Sequence, residues 1–119
     1  MAEVRQNVQR SDVFEMPWGS GKPRRVVVMS RDSANGGDCV VVVPFTSQRL
    51  EERRAIRSFA FFSADHRFDC DCVAKTDEIS RVLKTEFDWK KNRLFRLTPS
   101  EMQQIVEALR WLVRDESLP

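Results

Sequence analysis

Two uninterrupted runs of valine, at residues 26–28 and 40–43, constrain this chain more than any other feature of its sequence. Valine is restricted at χ1 and packs well on a pleated surface, so each run predicts a β-strand. The connection between the runs contains Asn35-Gly36-Gly37, with the only Asn-Gly pair in the chain. We expect these residues to supply the positive φ angles of a tight reversal, which would make the whole unit a β-hairpin.

The two ends of this hairpin carry polar groups of complementary chemistry. Arg24 and Arg25 open the first strand, whereas Thr46, Ser47 and Gln48 close the second. In an antiparallel pair those two ends lie at the same end of the ladder. A guanidinium matches the geometry of a phosphate, and a neighbouring hydroxyl can hydrogen-bond or take part in proton transfer. The hairpin therefore predicts a cationic and hydroxyl cluster, although such residues are too common to specify a reaction by themselves.

The composition is that of a folded, soluble chain, with 32% charged and 41% hydrophobic residues among 119. This length suits one domain, which we place at residues 11–116 behind a flexible tail at residues 1–10. A net charge of +2 does not require a nucleic-acid partner, but 15 of the 20 basic residues are arginine, which suits phosphate. No apolar run approaches the ~20 residues of a membrane span, and the N-terminus lacks the apolar segment of a signal peptide. We therefore expect a cytoplasmic protein without a membrane partner.

The rest of the chain predicts more strands and one helix. Apolar patterning predicts strands at residues 13–18, 56–63, 73–83 (with a bulge near 77–78) and 93–97. The charged residues 49–54 form a loop or a single helical turn. A capping box at residues 98–101 begins a helix over about 99–114. Short strands with tight turns close most economically into a small barrel. The prediction is a mainly β fold of five to seven strands, with the helix covering an open side.

Two apolar surfaces leave alternatives open. Residues 56–63 are apolar on both faces, so that one face serves the core while the other meets a second subunit or lies under a loop. Trp111 falls opposite the apolar stripe of the predicted helix. It is either a contact point for a partner or a half-shielded surface tryptophan.

Several kinds of catalytic or metal site are not evident in the sequence. The single histidine, His66, lies beside Asp65 and Arg67 in a predicted turn, so a two-histidine acid–base pair is excluded within one subunit. There is no zinc pattern, no phosphate-binding glycine motif and no dinucleotide fingerprint. Cys70 and Cys72 are predicted to share one face of a strand as reduced, structural cysteines, since a metal site would need His66 or acidic residues as further ligands. We predict no metal and no cofactor.

Five segments, taken in order, carry a resemblance that covers about residues 10–115: RSDVF, RRVVVMSRDSANG, VVVVPFTSQ, DCVAKTDEI and RLTPSEMQQIVEAL. Together they resemble the MazF/PemK (Kid-like) toxin ribonucleases of type II toxin–antitoxin systems. The resemblance implies an SH3-like barrel with a C-terminal helix and a homodimer that is neutralised by a cognate antitoxin. It also implies sequence-specific cleavage of single-stranded mRNA without metal. A ribose 2′-OH would attack the adjacent phosphorus and leave a 2′,3′-cyclic phosphate and a 5′-OH.

The same resemblance assigns residues to this chemistry. The catalytic arginine falls on Arg24, which would stabilise the extra negative charge, and the catalytic threonine falls on Thr46. The remaining positions are expected to bind RNA, and they are Arg25, Ser47, Gln48, Asp77, Glu78 and Arg81. An antitoxin would be expected to insert acidic and apolar residues near Arg24 and the 49–57 loop.

The chain departs from the family pattern on the surface that would face RNA. The family usually has glycine at Ser11, proline at Arg25 and arginine at Ser80, and it has a neutral amide where Glu78 would repel a phosphate. Two alternatives follow. One is a non-enzymatic, CcdB-like toxin that binds a protein such as gyrase through its helix, with Trp111 as a contact. The other is a catalytically inactive member that only binds its antitoxin.

Overall fold

The computed structural model describes residues 7–19, 21–91 and 93–114. Within these ranges the chain forms one curled antiparallel sheet of seven strands and a C-terminal helix. The strands are β1 (Asp12–Met16), β2 (Arg24–Val28), β3 (Cys39–Thr46), β4 (Ala60–Phe62), β5 (Cys72–Ala74), β6 (Ser80–Leu83) and β7 (Arg93–Arg96). The helices are the single turn α1 (Leu50–Arg53) and the long α2 (Pro99–Val113). The predicted mainly β fold with a C-terminal helix is confirmed.

Strand β3 is the centre of the sheet, whose order is β4-β5-β3-β2-β1-β7 with β6 also beside β3. Its first half pairs with β6, from Cys39 opposite Leu83 onward, whereas its end pairs with β5. Pro44 lies at the change of partner, where the missing N–H of proline is tolerated. Because β3 takes part in both halves of the sheet, the sheet curls into a half-barrel.

Strands β1, β2 and β3 are buried on both faces, so alternate side chains enter two different cores. The core under α2 contains Val13, Val27, Val43 and Phe45 with Met102, Ile105 and Ala108 of the helix. The core on the opposite face contains Phe14, Val26, Val28, Val40, Val42, Val82 and Phe87. This double burial explains why the valine runs are continuous rather than alternating with polar residues.

Neither helix of the described residues has the length and apolar character that a membrane span needs.

The loop of the β2–β3 hairpin differs from the prediction. Among the described residues, positive φ angles occur at Ser11, Gly19 and Arg49 and not at the Asn-Gly pair. Asn35 is instead wholly buried: its Oδ1 accepts from Ser30 Oγ at 2.5 Å and its Nδ2 donates to the Ser30 carbonyl at 3.0 Å. The connection is thus a ten-residue loop built around the buried side-chain amide of Asn35. Within it, the backbone N–H groups of residues 34, 35 and 37 donate to carbonyls three or four residues earlier, as in a helical turn.

The observed bounds of the N-terminal tail and of two strands also differ from the prediction. Residues 1–6 of the predicted tail lie outside the described residues, but Val8 is only 1% exposed and packs in the second core, so a loose tail is wrong there. The strand predicted at 56–63 is limited to β4, because residues 54–59 form turns and leave Ile56 exposed. The strand predicted at 73–83 is two strands, separated at the expected bulge by the 3₁₀ turn Thr76–Glu78.

Helix α2 begins at the predicted capping box, in which the Thr98 hydroxyl and the Glu101 carboxylate each accept from the other residue's backbone N–H. Arg67 joins this helix start to the loop before β5. Its guanidinium donates to Glu101 at 2.6 Å and 2.7 Å and to Asp65 at 2.9 Å. The hydrogen bond from Arg67 is the largest cause that lowers the pKa of each carboxyl below its usual range.

This network predicts a pH dependence of stability. Carboxyls whose pKa is lowered by folding stabilise the protein above their unfolded-state values, near pH 4, and lose that contribution as the pH falls towards the lowered values. Glu101→Gln keeps the capping acceptor but removes the charge that Arg67 contacts. We expect it to lower the free energy of unfolding by about 1 kcal/mol at pH 7. We also expect a smaller loss of stability between pH 7 and pH 3, measured by urea denaturation.

The matched control is Glu107→Gln, which removes an exposed partner of Arg110 on the same helix. It should keep the pH dependence of the unmodified protein. If Glu101→Gln and Glu107→Gln lose stability in parallel at both pH values, the Arg67 network is not the source.

Candidate active site

A cleft of about 660 Å³ opens at the end of the hairpin where β2 begins and β3 ends. One wall is the β1–β2 loop with Trp18, and the opposite wall is the segment between β4 and β5. The residues at its floor and rim include Arg24, Arg25, Thr46, Ser47, Gln48, Arg53, Asp69, Lys75 and Glu78. The cationic and hydroxyl cluster that the hairpin predicted therefore forms at one site.

Strand register brings Arg24 and Thr46 together. Val26 pairs with Pro44 in the β2–β3 ladder, and this register continued by two residues sets Arg24 opposite Thr46. The Arg24 side chain then folds back on β3, where its Nε donates to the carbonyl of Phe45 at 3.2 Å. Its guanidinium lies 5.8 Å from the centre of the Trp18 ring, within the range of a cation–π contact. Arg24 is thereby held at the cleft with a 22% exposed side chain.

The carboxylate of Glu78 lies between two cations. Its Oε2 is 2.5 Å from Arg24 Nη1, and its Oε1 is 3.1 Å from Lys75 Nζ. Burial opposes the charge of Glu78, but the hydrogen bonds from Lys75 and Arg24 outweigh burial and hold its pKa below its usual value. Glu78 is therefore ionised at neutral pH, and it neutralises Arg24 in the free protein.

The hydroxyl of Thr46 is held by two donors. Its Oγ1 accepts from the backbone N–H of Gln48 at 3.2 Å and from Arg53 Nη1 at 3.4 Å. Arg53 reaches this point because Arg49, in the left-handed region with φ 52°, turns the chain into α1 directly after Gln48. Since a hydroxyl has two lone pairs, the remaining capacity of Thr46 is to donate its proton. Thr46 is therefore placed to donate a hydrogen bond to a bound group rather than to accept a proton from it.

Arg25 approaches the cleft from the other face of β2. Its Nη1 donates to the carbonyl of Arg67 at 3.1 Å, and its Nη2 pairs with Asp69 at 2.9 Å. Asp69 is 85% exposed, so this pair is screened by water and contributes little to stability. Arg25 thus lines the cleft as a second arginine, with an exposed partner that a phosphate can replace.

The structure gathers most of the predicted site residues but not all of them. Those that line the cleft are Arg24, Arg25, Thr46, Ser47, Gln48 and Glu78. Asp77 does not line it and instead pairs with Lys75 at 3.3 Å. Arg81 is an exposed residue of β6, where it pairs with Val41 along the ladder away from the cleft.

Several residues of the cleft were not predicted from the sequence, among them Trp18, Arg53 and Lys75. Trp18 is a tryptophan in a glycine-rich turn, which was a usable signal for a surface contact. Arg53 belongs to the charged run 49–54, which was predicted only as a loop or a single helical turn. Nothing in the sequence around Lys75 predicted that it lines the cleft, because its position depends on the turn that follows β5.

Cys70 and Cys72 also line the cleft, whereas His66 does not. Cys70 is exposed in a bend, so the prediction that it shares a strand face with Cys72 is wrong. Cys72 is buried at the start of β5, and burial raises its thiol pKa to about 12. His66 is exposed in the predicted turn. Across residues 7–19, 21–91 and 93–114, no three His, Cys, Asp or Glu side chains are grouped to hold a metal ion.

The fold is similar to solved structures of bacterial toxins. An endoribonuclease from a mycobacterial species, solved in complex with its cognate antitoxin, superposes with a TM-score of 0.72 at 24% identity, covering 94% of this chain and 97% of that one. Toxin MazF-mt6 of Mycobacterium tuberculosis gives 0.68 at 16% identity over 83% and 92%. The MazE–MazF complex of Deinococcus radiodurans gives 0.67 at 14% identity over 92% and 97%. These likenesses define the class of fold, a MazF-like half-barrel with a C-terminal helix.

The sequence itself gives the family. The profile of the PemK-like, MazF-like toxins of type II toxin–antitoxin systems matches residues 9–113, which is most of the chain. The chain belongs to this family. A search of curated protein sequences finds no match.

Proposed function

We propose that this protein is a metal-independent endoribonuclease toxin that cleaves single-stranded mRNA at a short sequence motif. The observation that carries the proposal is the meeting of Arg24 and Thr46 at one end of the β2–β3 hairpin, with the Arg24 Nε fixed on the carbonyl next to Thr46. A fixed cation and a hydroxyl with a proton to donate can stabilise the charge that develops on a phosphate during cleavage.

The proposed reaction uses the RNA itself as the nucleophile. A ribose 2′-OH attacks the adjacent phosphorus, the bond to the 5′-oxygen breaks, and the products are a 2′,3′-cyclic phosphate and a 5′-OH. Arg24 exchanges Glu78 for a non-bridging phosphate oxygen, and Thr46 donates its hydroxyl proton as a hydrogen bond to the same group. DNA lacks the 2′-OH and would therefore resist cleavage.

The neighbouring residues of the cleft suit a single strand. Arg25 can exchange exposed Asp69 for a second phosphate, while Ser47 and Gln48 present exposed polar groups at the rim. Trp18 offers a ring on which an unpaired base can stack. Asp77 and Arg81 would contact RNA only where the strand continues beyond the cleft.

Two protein partners complete the proposal. The family is named for toxin–antitoxin pairs, and we propose a cognate antitoxin that places acidic residues against Arg24 and the arginines of residues 49–57. We also propose a homodimer acting in the cytoplasm, where mRNA is translated. Exposed Leu83, Leu94 and Val113 are apolar residues that a second subunit can cover.

The direct test is incubation of the purified protein with long RNA of mixed sequence in EDTA. We expect discrete fragments, with 5′-OH and 2′,3′-cyclic phosphate ends identified by mass spectrometry. An oligonucleotide with one 2′-deoxyribose at the mapped cleavage position should stay intact. RNA that remains whole across many sequences would contradict the proposal, and cleavage abolished by EDTA would contradict its metal independence.

A further inference from the structure

The cleft contains a carboxylate whose position suits proton transfer. Within the described part of the chain, the acidic residues that line the cleft are Glu78 and Asp69, and His66 does not line it. Asp69 is 85% exposed and pairs with Arg25, whereas Glu78 is 33% exposed and directly contacts Arg24. Thr46 cannot easily serve as a proton acceptor, since both of its lone pairs already accept hydrogen bonds.

We propose that Glu78 is the general base of RNA cleavage and accepts the proton of the attacking 2′-OH. This inference rests on the endoribonuclease activity proposed above and assigns a catalytic residue to it. In a reactive geometry the 2′-oxygen lies about 3–3.5 Å from the phosphorus. A base for that oxygen must therefore lie beside the group that binds the phosphate. Glu78 Oε2 meets this condition, at 2.5 Å from Arg24 Nη1.

The surroundings of Glu78 fit a base that becomes stronger when substrate binds. Arg24 faces it from β2 and Lys75 from the end of β5, and Arg53 of α1 lines the same cleft. The two contacting cations keep the carboxylate ionised in the free protein. A phosphate that engages Arg24 removes one of these stabilising hydrogen bonds. Lys75 still holds the other carboxylate oxygen, so Glu78 stays in place with a higher affinity for a proton.

The proton of the 2′-OH passes to Glu78 as the 2′-oxygen forms its bond to phosphorus. The bond between phosphorus and the 5′-oxygen breaks, and that oxygen takes a proton from water. Glu78 then returns its proton to solvent, which restores the carboxylate.

The test is Glu78→Gln, which keeps the size of the side chain and one of its two acceptor oxygens but cannot accept the proton. On an oligonucleotide that contains the mapped cleavage site, we expect kcat to fall by about 10²-fold or more. Binding of the same oligonucleotide with a 2′-deoxyribose at that site should be unchanged or tighter, because a negative charge has been removed. The rise of kcat/KM with pH on the acid side should disappear. Glu78→Asp should retain part of the activity and the acid-side rise.

The control variant is Glu107→Gln, which removes one negative charge on α2 outside the cleft and should leave cleavage unchanged. Cleavage by Glu78→Gln at or above the unmodified rate would overturn the assignment and leave Glu78 as an anion that merely competes with phosphate. Parallel loss of binding and cleavage in Glu78→Gln and Glu78→Asp would overturn it in favour of a structural role. If the unmodified protein cleaves no RNA, the proposed function itself fails.

Discussion

Replacing Arg24 with alanine is expected to lower the rate of RNA cleavage by about 10²–10³-fold, which corresponds to ~3 kcal/mol of lost charge stabilisation. Arg24 is the cation whose Nε is fixed on β3 and whose Nη1 faces the cleft. The measurement is kcat on the oligonucleotide that carries the mapped cleavage site. Arg24→Lys should recover only part of the loss, because an ammonium group cannot contact the Phe45 carbonyl and a phosphate in the same planar geometry.

Arg110→Ala is the matched control, since Arg110 is an exposed arginine of α2 that pairs with Glu107. It should cleave at the unmodified rate. Arg24→Ala also removes one of the two cations that contact Glu78 and leaves Lys75 as the other. Thermal unfolding must therefore show that the variant is folded. A folded Arg24→Ala that cleaves as fast as Arg110→Ala would rule out the proposed site.

Asn35→Ala is expected to lower the free energy of unfolding by about 3 kcal/mol. Asn35 is fully buried, and its amide satisfies both the hydroxyl and the carbonyl of Ser30. That hydroxyl in turn accepts the N–H of Val41. Removing the amide takes the partner from the hydroxyl and the carbonyl of half-buried Ser30, and a buried polar group without a partner costs about 1–3 kcal/mol. Urea denaturation at neutral pH measures the change.

Gly36→Ala provides the comparison at the next residue. A Cβ at Gly36 meets only Asn7 Nδ2, at 4.0 Å, and the backbone there does not require a glycine φ angle. The variant should stay within about 0.5 kcal/mol of the unmodified protein. Equal stability of Asn35→Ala and Gly36→Ala would show that the loop does not depend on the buried amide.

Local sequence was sufficient for the parts of the fold that are decided by neighbours in the chain. The valine runs predicted β2 and β3, and Thr98 with Glu101 predicted the start of α2. Antiparallel geometry then predicted that Arg24 lies near Thr46, because the two residues sit at the same end of one hairpin. These inferences held because strand propensity, capping and register act over a few residues.

The parts that the sequence did not predict depend on contacts between distant residues. Arg24 and Glu78 are 54 positions apart, and their pairing requires β3, β5 and the turn after β5 to be in place. The Asn-Gly pair predicted a tight turn, but the buried Asn35 side chain bonds Ser30 while Asn7 and Lys84 donate to the Asn35 backbone carbonyl, and these contacts select a longer loop. Ile56 had strand propensity, yet the turn after α1 exposed it. In each case tertiary contacts outweighed local preference.

The positive φ angle at Ser11, 73°, gives a physical meaning to one departure from the family pattern. The resemblance to the family implies glycine at this position, and glycine adopts this conformation without strain. Serine accepts it here because the backbone on both sides is held, by the Ser11 N–H to the Val28 carbonyl and the Leu97 N–H to the Ser11 carbonyl. The departure therefore concerns the β1–β7 edge and not the chemistry of the cleft.

The pairing of Arg24 with Glu78 also bears on the thermodynamics of RNA association. Protein–RNA affinity usually falls steeply with salt, because each phosphate contact releases condensed counterions into solution. If RNA binds as proposed, its phosphate would replace at Arg24 an anion that the protein itself supplies, and the displaced carboxylate would stay paired with Lys75. Separating the Arg24–Glu78 ion pair would then offset part of the electrostatic free energy gained by binding the phosphate. The proposed site would therefore bind a polyanion weakly on charge alone, and it would favour an RNA strand that also hydrogen-bonds Thr46 and stacks on Trp18.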